Sequence, residues 1–373
     1  MHDSISPPRA RRGPLKTLVT LVVVLVVVVG LRVWTVPVYA LTPGDATPVA
    51  PLVKIKGLAV DAHPDTIMLT DVYLQSLNAW QWLFMHFQSH VEFVNADQLV
   101  EPGIPQSELL AQGYLQMYDS KQAAEVAALH SLGWTVPATP TGAVVNGVVT
   151  SSPAQRAHLH VADRIVAANG APVSTSCSLI SAVHLLAPGS MVRLRIERAR
   201  ISSSGVITYG PPATMSLRTA SAPGDLGSSH CGLHGPDRSW LGVGVENSVH
   251  YALPGSISIN TTSIGGPSAG LAMTLTLIDQ LSAGSLTGHF VVAATGTIDA
   301  QGHVGDVGGV AEKTIAVQRA GAQIFIVPAV EVPTAEANAQ SGLRIIGVST
   351  LAQALNDLRR LGGDAPRSLT TPR

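Results

Sequence analysis

Two residues in the last third of the chain, Ser268 and Lys313, have side chains that could act together as nucleophile and base. A serine hydroxyl attacks a carbonyl group effectively only when a neighbouring base removes its proton, and a neutral lysine amine can be that base. The pair would support acyl transfer, in which an amide bond breaks through a covalent intermediate. Because the residues are far apart in sequence, folding must bring them together.

Ser268 stands at the start of a predicted helix. It follows Gly265-Gly266-Pro267, and the helical pattern from Ala269 to Leu281 is apolar on nearly every side, which predicts a buried helix. Proline suits the first turn of a helix, and the unpaired N–H groups at that end could stabilise an oxyanion. A serine that only caps a buried helix fits this segment equally well.

Lys313 is the only lysine between residues 122 and 373, a region that holds 14 arginines. It follows the glycine-rich segment Gly305–Glu312, where a second helix is predicted to begin. Of the two residue types, only lysine can lose its proton, and burial near the positive end of a helix lowers its pKa. The alternative is a surface lysine that pairs with Glu312 or Asp306.

The order of motifs resembles the proteolytic domain of Lon-type serine proteases over about residues 241–357. The resemblance rests on Gly266-Pro267-Ser268-Ala269-Gly270, Thr295-Gly296-Thr297-Ile298 and Val307-Gly308-Gly309-Val310-Ala311-Glu312-Lys313. It implies an α/β domain in which Ser268 is the nucleophile, Lys313 is the general base and Thr295 supports catalysis by orienting the lysine. Thr297 departs from the family, which usually has Glu at that position.

A second resemblance covers the middle of the chain. The run Asp163–Gly170 reads as a strand that ends in an Asn-Gly turn, and Ser152-Pro153-Ala154 reads as a turn. With the preceding valine pairs, these segments resemble PDZ domains of bacterial exported proteases. Such domains bind an extended peptide along a sheet edge, but the sequence does not indicate which residues here contact a peptide.

The amino-terminal segment predicts a transmembrane anchor over residues 15–36. Basic residues precede an uncharged stretch, rich in valine and leucine, from Thr17 to Leu31. The 22 residues of the predicted anchor would reach about 33 Å as a helix, and the basic flank would keep the amino terminus cytoplasmic. The alternative is a cleaved signal peptide, because Val38-Tyr39-Ala40 resembles a cleavage site. Both interpretations export the rest of the chain.

Composition excludes several classes of protein. Among 373 residues, 46% are apolar and 13% charged, which argues against a disordered chain. The 23 basic and 24 acidic residues give no basic excess, so we expect no nucleic-acid partner.

Cys177 and Cys231 could pair in an exported protein, and the sequence leaves this open. The run His230-Cys231-Gly232-Leu233-His234 fits no standard metal site, so we expect no metal or cofactor.

The sequence therefore predicts a multidomain fold with one transmembrane helix, a helical region, a β-rich PDZ-like domain and an α/β Lon-type domain. Within the helical region, helices are predicted over Asp71–Gln88 and Ser107–Leu132. The predicted order is a cytoplasmic tail (1–14), the anchor (15–36), an extracytoplasmic linker and mainly helical region (37–134), the PDZ-like domain (135–200), a Ser/Gly/Pro-rich linker (201–239), the Lon-type domain (240–360) and a polar tail (361–373).

As a whole, the chain resembles the membrane-anchored, PDZ-containing Lon-like serine proteases, the YlbL-like group. The resemblance implies a Ser/Lys endopeptidase that cleaves exported or membrane-proximal polypeptides at the outer face of the cytoplasmic membrane. The sequence contains no Gly-x-x-x-x-Gly-Lys-Ser/Thr, so we expect it to work without ATP. It could form a homo-oligomer.

The non-enzymatic alternative is a membrane-tethered PDZ module whose Lon-like domain is inert. A trypsin-like enzyme is not favoured, because Gly-Asn-Ser-Gly-Gly is absent.

Overall fold

A computed structural model describes residues 13–61, 65–88, 90–96, 104–202, 205–223, 231, 239–261 and 264–364. The chain forms two compact units. One comprises Met1–Thr42 and Tyr73–Glu101, and the other comprises Pro43–Val72 and Pro102–Arg373. The second unit contains all three residues that the sequence predicts at the active site.

The described residues fold into helices and strands that differ widely in length. The helices, in chain order, are α1 (Gly13–Val33), α2 (Ala79–Met85), α3 (Gln106–Ser131), α4 (Pro153–Arg156), α5 (Ser176–His184), α6 (Gly270–Leu281), α7 (Val310–Arg319), α8 (Val332–Asn338) and α9 (Leu351–Arg360). The strands are β1 (Thr35–Pro48), β2 (Val53–Lys56), β3 (Ile67–Asn78), β4 (Glu92–Asn95), β5 (Ala138–Val148), β6 (Arg164–Ala168), β7 (Ala171–Pro172), β8 (Met191–Glu197), β9 (Ala199–Ile201), β10 (Ile207–Tyr209), β11 (Ala213–Arg218), β12 (Ala220–Ser221), β13 (Ser239–Trp240), β14 (Val243–Tyr251), β15 (Ser256–Ile259), β16 (Val292–Ala294), β17 (Thr297–Ile298), β18 (Val304–Gly305), β19 (Ile324–Pro328) and β20 (Arg344–Val348).

The predicted transmembrane anchor over residues 15–36 differs from the structure at its carboxyl end. Helix α1 ends at Val33, and the chain enters β1 at Thr35. In a longer helix the Pro37 ring would clash with the carbonyl of Val33 and could not donate a hydrogen bond to it. Among the described residues, the structure contains no helix with both the length and the apolar character needed to cross a bilayer.

The predicted helix over Asp71–Gln88 is wrong in its first half. Strand β3 continues to Asn78, and the helix is confined to α2. The first residues of β3 are buried in a parallel sheet, with Ile67 opposite Val292, and such tertiary pairing overrides a helical pattern. Helix α2 begins where the Asn78 side chain accepts a hydrogen bond from the Gln81 N–H. The helix predicted over Ser107–Leu132 is confirmed by α3.

A five-stranded antiparallel path in the order β11-β8-β6-β5-β14 forms the β-rich part of the second unit. Its predicted Asn-Gly turn is confirmed: Asn169 and Gly170 have φ values of 50° and 86°, as a tight hairpin requires. Two strands of this sheet lie outside the predicted PDZ-like domain over 135–200. Strand β11 lies in the predicted linker over 201–239, and β14 lies in the predicted Lon-type domain, yet both are edge strands of this sheet.

The α/β part of the second unit is built on parallel strands in the order β20-β19-β16-β3. Alternate residues of a strand face opposite sides of a sheet. Ile324 and Ile326 of β19 pack in one apolar core with α6, whereas Phe325 and Val327 pack in another with α7. Helices α6 and α7 therefore cover opposite faces of the sheet, and their first turns can meet only at a strand end.

Candidate active site

The three predicted site residues lie on three elements that converge beside the carboxyl end of β16. Ser268 precedes α6 and its N-cap residue Ala269. Thr295 directly follows β16. Lys313 is in the first turn of α7, where its N–H donates to the carbonyl of Gly309. Ligand sites of open α/β sheets commonly form at this edge, because loops and helix starts from both faces meet there.

A hydrogen-bonded chain joins these residues. Lys313 Nζ donates to Thr295 Oγ1 over 3.3 Å, and Thr295 Oγ1 donates to the carbonyl oxygen of Ser268 over 3.2 Å. The Gly296 N–H also donates to that carbonyl, over 2.9 Å. The Ser268 hydroxyl, on a half-buried residue, makes no hydrogen bond to any residue in the described ranges. The structure thus joins Lys313 to the backbone of Ser268 through Thr295, and it does not join the amine to the hydroxyl directly.

Lys313 is buried, with 2% of its surface exposed. Loss of hydration disfavours a charged amine and lowers the pKa of Lys313 to about 8, against the opposing attraction of Asp71, Glu331 and Glu312. The predicted helix burial is also confirmed, because every residue of α6 from Gly270 to Gln280 is buried. A partly deprotonated amine beside the start of this helix is suited to abstract a proton from a hydroxyl.

Asp71 on β3 is a member of this site that the sequence did not identify. Its carboxylate provides the largest attraction that opposes the lowered pKa of Lys313. Burial raises the pKa of Asp71 from its ordinary value, whereas the Asp45 N–H, which donates to Asp71 Oδ1 over 2.8 Å, favours the charged form. No local motif marks Asp71, and its placement depends on β3 lying beside β16.

Helix α3 holds the segment that leads into Ser268. The Gly266 N–H donates to the carbonyl of Gly113 over 2.9 Å, and the buried Ser120 Oγ donates to the carbonyl of Pro267 over 3.0 Å. Gly270 fits closely beside this helix, since a Cβ there would lie 2.9 Å from Ser120 Oγ and 2.8 Å from Ile298 Cγ2. The motif identifies Gly270, but the sequence gives no sign of its partner on α3.

An open cavity of about 560 Å³ lies between α3, β14 and the segment after β17. Its wall includes Pro267, directly before Ser268, and two carboxyl groups that face each other, Asp119 of α3 and Glu246 of β14. Burial and the neighbouring Glu246 raise the pKa of Asp119 to about 8. Asp119 therefore retains a proton near neutral pH, which allows two acidic side chains to lie together.

Cys177 and Cys231 form a disulfide, with their Cα atoms 5.4 Å apart. The pairing that the sequence left open is thus present and ties the first turn of α5 to the segment before β13. The sequence predicts that residues 230–234 do not bind a metal. Of these residues, the structure describes Cys231 alone. Elsewhere in the described ranges, no group of three or more His, Cys, Asp or Glu side chains is arranged to hold a metal ion.

Comparison with protein families divides the chain into two known parts. Residues 116–204 match the PDZ domain model, and residues 245–359 match the Lon protease (S16) C-terminal proteolytic domain. The chain therefore contains a PDZ domain and a Lon-type proteolytic domain. The two matches do not coincide with the sheets, because β14 lies mostly in the protease match but completes the sheet of the PDZ domain.

Curated relatives show the same likeness over the last third of the chain. The chain is 34% identical to a Lon protease of Neorickettsia sennetsu over 113 residues, which is 30% of this chain and 13% of that protein. It is 31% identical to Lon protease 1 of Herpetosiphon aurantiacus over 132 residues, or 34% and 16% of the two chains. The match to a Lon protease of Rickettsia felis is 34% over 93 residues, or 24% and 12%. The chain thus spans about one sixth or less of these relatives.

Proposed function

We propose that this chain is a serine endopeptidase in which Ser268 is the nucleophile and Lys313 is the general base. The observation that carries the proposal is the buried Lys313 amine, whose pKa is lowered to about 8 and which Thr295 links to the peptide unit of Ser268. The likeness of residues 245–359 to the Lon C-terminal proteolytic domain supports the same assignment. Thr295 positions the amine and does not react.

The proton follows a simple path in this mechanism. Neutral Lys313 Nζ accepts the proton of Ser268 Oγ while the oxygen bonds to the scissile carbonyl carbon, and Lys313 then gives that proton to the departing amine. Water cleaves the acyl-enzyme by the same route, again with Lys313 as base. Proton transfer requires the Ser268 hydroxyl to lie within hydrogen-bond distance of Nζ, and the bonds from Thr295 and Gly296 hold the Ser268 carbonyl in place. With a pKa of about 8, roughly a tenth of the amine is neutral at pH 7.

We also propose that the enzyme acts without ATP on flexible segments of polypeptides. The sequence contains no P-loop that would hold a nucleotide, and without mechanical unfolding only flexible segments can reach a buried amine. The PDZ domain would present such segments, because β14 is an edge strand and an extended peptide can add to a sheet edge.

The proposed location is the outer face of the cytoplasmic membrane. The Cys177–Cys231 disulfide supports an oxidising compartment. Basic residues precede the valine-rich helix α1, a pattern typical of segments that direct export and hold the amino terminus inside. Membrane attachment through this segment is part of the proposal.

Cleavage of an unstructured reporter peptide by purified protein tests the proposed function. We expect Ser268→Ala and Lys313→Arg to abolish cleavage, the second because a guanidinium group cannot accept a proton at working pH. Matched controls are Ser216→Ala and Lys54→Arg, which make the same changes at exposed positions and should retain wild-type rates. Wild-type protein that binds the peptide without cleaving it would favour the inert PDZ module, and an active Lys313→Arg variant would remove the lysine from the mechanism.

A further inference from the structure

Helix α3, whose residues from 116 onward lie within the PDZ match, contacts the sheet of the PDZ domain and the protease domain through different sides. One row of residues at helical spacing faces the sheet of the PDZ domain: Glu108, Gln112, Leu115 and Asp119. A second row faces α6 and the segment before it: Gly113, Met117, Ser120 and Ala124. Residues three and four positions apart share one side of a helix. A single helix therefore lies between the sheet of the PDZ domain and the segment that leads into Ser268.

The contacts with the PDZ domain are specific. Glu108 Oε2 accepts a hydrogen bond from the Val161 N–H over 3.1 Å, and Glu108 Oε1 lies 2.7 Å from His160 Nδ1. Gln112 Nε2 donates to the carbonyl oxygen of Asn146 over 3.0 Å. Leu115 packs in one apolar cluster with Val144 and Val161. These contacts fix the first half of α3 against the PDZ sheet.

The Asn146 carbonyl is available to Gln112 because Asn146 forms a bulge. Gly244 of β14 pairs with Gly147, and the next residue, Val245, pairs with Val145, so Asn146 has no opposite partner. A bulge interrupts the ladder and increases the local twist of the strand. Gln112 therefore contacts β5 at the point where its pairing with the edge strand β14 is least regular.

Gly113, the residue after Gln112, contacts the segment that leads into Ser268. The carbonyl of Gly113 accepts a hydrogen bond from the Gly266 N–H. Two helical turns later, Ser120 Oγ donates a hydrogen bond to the carbonyl of Pro267. A displacement of α3 that breaks the Gln112–Asn146 bond would thus move the two groups that hold residues 265–267 in place. The carbonyl oxygen of Ser268 is itself held by hydrogen bonds from Thr295 Oγ1 and the Gly296 N–H.

We propose that α3 makes the reactivity of Ser268 depend on the PDZ domain, with Glu108 and Gln112 as positioning residues for the reaction. The proposal rests on the proposed function and adds its regulation. A polypeptide added along β14 would alter the twist at the Asn146 bulge, and Gln112 would transmit this change through α3 to the segment that carries Ser268. The PDZ domain then acts on the catalytic rate as well as on substrate capture.

The test compares Gln112→Ala with Gln106→Ala, which makes the same change at an exposed position of the same helix. Loss of one net hydrogen bond of about 1 kcal/mol corresponds to about a fivefold effect. We therefore expect kcat for a short unstructured peptide, and the rate of Ser268 labelling by a fluorophosphonate, to fall about fivefold in Gln112→Ala, with KM within a factor of two. Glu108→Ala should behave similarly, and Glu108→Gln, which keeps an acceptor for the Val161 N–H, should recover the rate.

Hydrogen exchange of the Gly266 amide gives a readout that does not require catalysis. It should accelerate in Gln112→Ala and stay at the wild-type rate in Gln106→Ala. Equal exchange, kcat and labelling rates in the two variants would overturn the coupling. If the wild-type protein neither cleaves nor labels, yet exchange at Gly266 responds to Gln112→Ala, the coupling stands and the proposed protease function fails.

Discussion

Replacing Lys313 by methionine should stabilise the domain while it abolishes cleavage. Methionine has similar length and no charge, so it can occupy the same buried site beside Thr295. Burial lowers the pKa of Lys313 from its ordinary value of 10.5 to about 8. At about 1.4 kcal/mol per pH unit, this difference corresponds to about 3 kcal/mol of instability at pH 7, where both the folded and the unfolded protein hold the proton.

The size of this effect depends on pH in a defined way. Between pH 8 and 10.5 the unfolded protein binds more protons than the folded protein, so wild-type stability rises with pH. The advantage of the methionine variant should therefore shrink from about 3 kcal/mol at pH 7 to about 1 kcal/mol at pH 10. Below pH 8 the advantage should remain nearly constant.

Urea unfolding followed by circular dichroism at pH 7 and pH 10 measures both values. The control is Lys54→Met, a change at an exposed lysine that should alter stability by no more than about 0.5 kcal/mol. A Lys313→Met variant that is no more stable than wild type at pH 7, or whose advantage does not depend on pH, would refute the assignment of a buried, partly deprotonated amine.

Three further changes test other contacts of the site and the fold. Asp71→Asn removes the main charge that holds the proton on Lys313, so the acidic limb of kcat/KM should move to lower pH in a pH–rate profile; an unmoved limb would contradict this role. Gly270→Ala places a Cβ 2.8 Å from Ile298 Cγ2 and should lower stability by about 1–3 kcal/mol in urea unfolding. Replacing Cys177 and Cys231 together by serine should lower stability by about 2–4 kcal/mol relative to oxidised wild type, and a reductant should remove the difference.

The residues of the proposed site were selected from the sequence because each lies in a short motif next to an element boundary. Ser268 follows Gly266-Pro267 at a helix start, and Lys313 follows a glycine-rich turn. The contacts that position them could not be found in this way. Asp71 and Ser120 lie on elements far away in the sequence, and neither residue belongs to a recognisable local pattern.

The errors in the predicted fold have a common physical cause. The stretch after Ile67 has a helical pattern, yet its first residues are buried in a parallel sheet. Strand β14 directly precedes the protease segments but pairs with β5 of the PDZ domain. In both cases long-range strand pairing, which local periodicity does not report, determines the structure. Buried helices such as α6 were predicted correctly because their apolar character is continuous along the chain.

The most direct test of the proposed dyad is the rate at which a fluorophosphonate reacts with Ser268 as a function of pH. With the pKa of Lys313 at about 8, the neutral fraction of the amine rises about tenfold between pH 7 and 9. The rate should follow this rise, level off above pH 9, and be slow in Lys313→Met at every pH. A wild-type rate that does not change with pH, or equally fast labelling of Lys313→Met, would contradict the proposed dyad.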